Sequence, residues 1–177
     1  MTISPYILLM IGAWAAMSGG ALRITTAFIP FTPETAWLEA LYALIDVLML
    51  VATLAIYIRY MAVIGLVGLL AAAAAMLGFA SIIGPDPVMF GIDFYRLGAG
   101  IIVISMALLG VQLLRAKQQH LAAALWLLAL GFALGLSVLA IPGLLVASGV
   151  AFGLGFVIAG IRLLQEDDGL AMPESNC

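Results

Sequence analysis

The stretch Ala36–Ile58, AWLEALYALIDVLMLVATLAIYI, decides how this chain is read. Its 23 residues are almost all apolar. A helix needs about 20 such residues to cross the hydrocarbon core of a bilayer. Two residues inside it do not suit lipid, Glu39 and Asp46. Asp46 stands ten residues into the stretch, near the expected midplane. A charge at that depth costs about 2.5–3.5 kcal/mol on insertion scales. Glu39, Tyr42, Asp46 and Thr53 follow one another at steps of 3, 4 and 7, which is one face of a helix. That polar stripe is expected to face the interior of a helix bundle.

Outward from this stretch lie five more apolar runs: 6–29, 62–83, 94–114, 121–140 and 144–164. The expected fold class is therefore all-α, a polytopic membrane protein of six transmembrane helices with short loops. The first run is expected to be a membrane helix and not a signal peptide. It lacks a positively charged start and is too long for a signal-peptide core. Residues 1–165 form one transmembrane domain in this reading, and 166–177 an acidic and polar cytoplasmic tail. The turns at Ile29-Pro30, Gly84-Pro85 and Ile141-Pro142 group the six runs into three antiparallel hairpins. Leu77-Gly78-Phe79-Ala80 recurs as Leu130-Gly131-Phe132-Ala133, and the same spacing carries Tyr42 onto Tyr95. This is a pattern-level sign of an internal repeat.

Composition supports the membrane reading. The chain has 177 residues, 66% hydrophobic and only 8% charged, whereas soluble domains run near half apolar and a quarter charged. Soluble and disordered chains are excluded on that ground. Six basic residues against nine acidic ones give a net charge of −3. No polybasic surface exists for nucleic acid or for anionic lipid. Six spans put both termini on one side, together with Arg59, Arg115, Lys117 and Arg162. The other side carries Arg23 and Arg96. The positive-inside rule then puts both termini in the cytoplasm, in the inner or plasma membrane of the cell.

Arg23 is the expected partner of the buried acids. It lies about six residues inside the end of the first run, a depth between those of Glu39 and Asp46 at 1.5 Å per residue. One arginine cannot neutralise two carboxylates, so one acid stays protonated or water enters. The cluster Arg23, Glu39, Tyr42 and Asp46 reads either as a structural lock on helix register or as a proton or solute site. Gly131-x-x-x-Gly135 and Gly149-x-x-x-Gly153 let helix backbones approach closely. They are expected to pack the fifth and sixth spans together. Trp14 and Trp126 read as packing residues, and Trp37, Tyr57, Tyr60 and Tyr95 as an interfacial belt. Asp93 and Arg96 read as a surface pair, and His120 as interfacial polar trim.

No metal-ligand cluster, nucleophile elbow, phosphate-binding loop or Cys-x-x-Cys motif occurs, and the single cysteine, Cys177, reads as a bystander. Glu39 and Asp46 are too far apart on one helix for an aspartic dyad. The reading expects no enzyme, no cofactor and no metal site. Its partners are the lipid bilayer and either membrane-protein partner subunits or further copies of the chain. Small size and short loops fit an accessory or scaffold subunit of a larger membrane complex. The alternative is a small proton- or solute-coupled transporter or channel using Arg23, Glu39 and Asp46. Against it stands the scarcity of polar residues on the other five spans, since a water-lined path needs several walls.

Overall fold

The computed structural model describes residues 5–29, 35–83, 88–89 and 92–168. Its long elements are five helices: α1 (Pro5–Thr26), α2 (Ala36–Ile82), α3 (Phe94–Arg115), α4 (His120–Leu139) and α5 (Pro142–Asp168). Each is long and apolar enough to cross a membrane. A minimal antiparallel ladder, β1 (Val88–Met89) with β2 (Ile92–Asp93), precedes α3. Asp93 then caps α3, its carboxylate accepting from the Arg96 backbone N–H at 2.9 Å. That bond satisfies one of the orphan donors of the first turn.

The largest departure from expectation is α2. The break expected at Arg59-Tyr60 is absent, and helix runs through both residues. Neither side chain opposes helix. The interruption comes at Gly65, whose φ of 62° and ψ of −164° lie in a region that only glycine enters readily. The bend there is sharp. On a straight helix Asp46 and Phe79 would stand about 50 Å apart, yet both line the same cavity.

The connections among the other helices are tight. Between α3 and α4, Lys117 (φ 58°) and Gln119 (φ 49°) both take left-handed backbone. The Gln119 amide donates to the Tyr60 hydroxyl at 2.7 Å and so ties this turn to α2. Between α4 and α5, Ala140 (φ 52°) closes α4, its N–H bonded to the Leu136 carbonyl at 3.0 Å. Pro142 opens α5, where its missing N–H costs nothing. The expected tail 166–177 begins as helix, because α5 runs on to Asp168. Residues 169–177 lie outside the described residues, as do the turn prolines Pro30 and Pro85.

The core is built on small residues and one aromatic cluster. Phe156 meets Trp126 edge-on at 5.4 Å, Phe152 at 5.3 Å and Phe79 at 6.3 Å between ring centres. Trp126 is fully buried, as a packing residue should be, whereas Trp14 is 61% exposed and points away from the core. Lipid is as apolar as leucine, so burial gives little drive between helices here. Close packing supplies it. One such close approach joins α1 to α5. A Cβ added to Gly20 would lie 2.5 Å from the Gly153 carbonyl oxygen, and one on Gly153 would lie 2.6 Å from that of Gly20.

The expected pairing of the two glycine motifs with each other is therefore corrected. Gly149 faces Ala27, just past the end of α1, and Gly153 faces Gly20 and Ile24 of α1. Gly131 has open space where a side chain would be, and Gly135 meets only the end of Leu144. Helices α4 and α5 are joined instead by Trp126 lying over Gly155 and by Ser148, whose hydroxyl donates to the Ala129 carbonyl at 2.9 Å. A small-residue motif marks where a backbone can come close. Which helix lies across it depends on the whole arrangement.

Candidate functional site

One end of the bundle holds a polar cavity. Arg23 reaches it from the last turn of α1, and Tyr42 and Asp46 from the first third of α2. Tyr95 comes from the start of α3 and Ser148 from the start of α5. Met49, Phe79, Ile102 and Phe152 are among its apolar walls. The cavity is about 60 Å³. A water needs roughly 10–15 Å³ on such a measure, so there is room for a few waters or one small ion. A drug-sized ligand does not fit.

Each polar group is held by local geometry. Arg23 sits at the C-terminal end of its helix, where the helix dipole favours a cation. Tyr42 extends its hydroxyl to the Thr26 carbonyl, a long contact of 3.5 Å that links α2 to the last turn of α1. The Ser148 proton is committed to Ala129, which leaves its oxygen lone pairs for the cavity. Arg23 lies near enough for its charge to act on Asp46 and on Tyr95. Among the described residues, no direct ion pair joins Arg23 to Asp46.

The expected cluster is brought together in part. Arg23, Tyr42 and Asp46 share the cavity, and Thr53 is fully buried on the same face, bonded to the Met49 carbonyl at 2.8 Å. Glu39 does not join them. It is exposed in the first turn of α2, where an acid suits the positive end of the helix dipole. A depth argument places residues along a helix axis but not around it, and Glu39 falls on the wrong side. Tyr95 and Ser148 are members the sequence reading did not include. A signal for both was present. Tyr42, Tyr95 and Ser148 stand at a constant interval of 53 residues, and so do Asp46, Ala99 and Phe152. All six line the cavity. Equivalent positions on α2, α3 and α5 thus meet at one point.

Among the described residues, no group of three His, Cys, Asp or Glu side chains could hold a metal ion. Among the described residues, Asp46 is the one carboxylate lining the cavity, and no histidine or cysteine lines it. The arrangement can bind water, exchange a proton at Asp46, and hold a small charged species between Arg23 and the tyrosines. Comparison with protein-family models, with curated proteins and with solved structures finds no match.

Proposed function

We propose that the chain is a non-enzymatic, multi-pass protein of the cell membrane that moves protons or a small solute through the polar cavity. Six crossings arranged as three antiparallel hairpins fit best. At 1.5 Å per residue, α2 is about 70 Å long, over twice the roughly 30 Å core. The bend at Gly65 divides it into two stretches of membrane length. Four basic residues against two argue for cytoplasmic termini, which puts the cavity in the outer half.

One observation carries the transport reading: polar side chains from four separate helices converge on a single cavity around an intramembrane acid. A polar group in the membrane is costly, and five of them meeting at one point by accident is more costly still. The 53-residue interval gives the same reading. Sites in many transporters form where structural repeats meet. The missing Arg23–Asp46 contact weakens the alternative of a register lock, which needs close geometry to offset desolvation. Purified protein in liposomes carrying a pH dye tests this reading. Wild type should pass protons or proton-coupled solute faster than Asp46→Asn, with both folded. Equal flux in the two would contradict it.

The accessory or scaffold subunit remains the second reading, favoured by one face of α4. Gly131 is bare there, and Leu128 and Leu134 beside it are exposed. Such a face accepts a helix of a partner subunit. Native purification separates the two: a stoichiometric companion supports the subunit, and a homo-oligomer or monomer supports transport.

A further inference from the structure

Arg23 cannot lose its charge, and it carries only donors. Within a bundle it needs one negative charge nearby to be balanced. Ionised Asp46 supplies that charge and leaves the cavity neutral. Protonated Asp46 does not, and the cavity then carries a net positive charge. Protonation also turns the Asp46 carboxyl from an acceptor into a donor. Among the described residues, the titratable groups that line the cavity with Asp46 are Arg23 from α1, Tyr42 from α2 and Tyr95 from α3. α5 contributes only neutral Ser148. Asp93 acts on Tyr95 from the head of α3, and Glu39 is exposed and outside the cavity.

We infer that the cavity is a binding site for a small monovalent anion of the halide or formate class, occupied together with a proton on Asp46. The inference rests on the transport reading of the same cavity. The anion lies against the Arg23 guanidinium and takes the Tyr95 hydroxyl and the protonated Asp46 carboxyl as donors. Tyr42 and Ser148 already donate to backbone carbonyls, at 3.5 Å and 2.9 Å, and serve as walls. A volume of about 60 Å³ admits such an anion and rejects an aromatic carboxylate. Charge balance makes the coupling obligatory. An anion without the proton adds a second negative charge, and a proton without the anion strands Arg23. Anion and proton therefore enter and leave as a neutral pair.

The test uses the full chain in detergent and weak buffer, with sodium chloride and sodium formate as probes and sodium benzoate as the oversized control. On addition of chloride or formate, a pH electrode should record uptake of one proton per anion bound. The dissociation constant should rise about tenfold per pH unit on the alkaline side of the Asp46 titration. Benzoate should give neither effect. Asp46→Asn should bind the anion independently of pH and take up no proton. Arg23→Gln should lose binding. Tyr95→Phe removes only the hydroxyl of a half-exposed residue, so it folds, and it should weaken binding about tenfold or more. No anion binding by wild type at any pH overturns the site, and so does proton uptake that persists in Asp46→Asn. Infrared titration of the same sample separates the two proposals. An Asp46 carboxyl that titrates with no anion effect overturns the anion site alone. One that never titrates overturns the transport reading with it.

Discussion

Gly65→Ala isolates the bend that divides α2. The backbone there has φ 62° and ψ −164°, and a Cβ built on it meets nothing within 4 Å. The substitution therefore introduces no clash, and its whole cost is conformational. Non-glycine residues in this region cost of order 1–3 kcal/mol. Gly131→Ala is the matched control. Gly131 is helical, and its Cβ also meets open space. Alanine there should gain up to about 1 kcal/mol from helix propensity. Thermal melting of both variants in one detergent measures the difference. At roughly 2–4 °C per kcal/mol for a chain of this size, Gly65→Ala should melt roughly 2–12 °C below wild type. Gly131→Ala should melt at or above it. If the two variants melt together, the bend is not at Gly65, and the division of α2 into two crossings fails.

The contact between α1 and α5 is as sharply defined. Gly20→Ala drives a methyl against the Gly153 backbone and Val157, and should cost about 1–3 kcal/mol, read as a lower melting temperature. A neutral Gly20→Ala would mean the helices are further apart than described. Tyr60→Phe removes the hydroxyl that accepts from buried Gln119, whose side-chain oxygen already has no partner among the described residues. It should destabilise by about 1–3 kcal/mol, and an unchanged denaturation midpoint would deny that this bond anchors the α3–α4 turn. For topology, single cysteines at Lys117 and Ile29, in a Cys177→Ser background, should react with an impermeant thiol reagent from opposite sides of the membrane. Lys117 should react only from the cytoplasm, and labelling of Lys117 from outside would reverse the orientation.

Most of the helical architecture was legible because lipid imposes a simple demand on sequence. Runs expected at 94–114 and 121–140 appear as Phe94–Arg115 and His120–Leu139. Apolarity over a membrane thickness needs no knowledge of neighbours. The bend in α2 was not legible. The chain has 19 glycines, and nothing local to Gly65 distinguishes it from those that remain helical. Arg59 and Tyr60 looked like an end because they are polar, but polarity does not stop a helix. The site was half legible for a related reason. Asp46 and Arg23 stand out by cost alone. Tyr95 reads as an interfacial aromatic, and nothing in the sequence singles out Ser148. Only the fold turns the 53-residue interval from Tyr42 into a shared cavity. Gly149 and Gly153 were recognised as contact residues, but their partner is α1 and not α4, since residue size carries no address.

In the transport reading, Asp46 is a working proton site that exchanges with water. Infrared spectroscopy of the protein in hydrated membranes, titrated with acid and compared with Asp46→Asn, tests it most directly. A protonated-carboxyl band that grows on acidification, shifts when water is exchanged for heavy water, and disappears in Asp46→Asn is the predicted result. A titrating carboxyl signal that is the same in wild type and Asp46→Asn would contradict it.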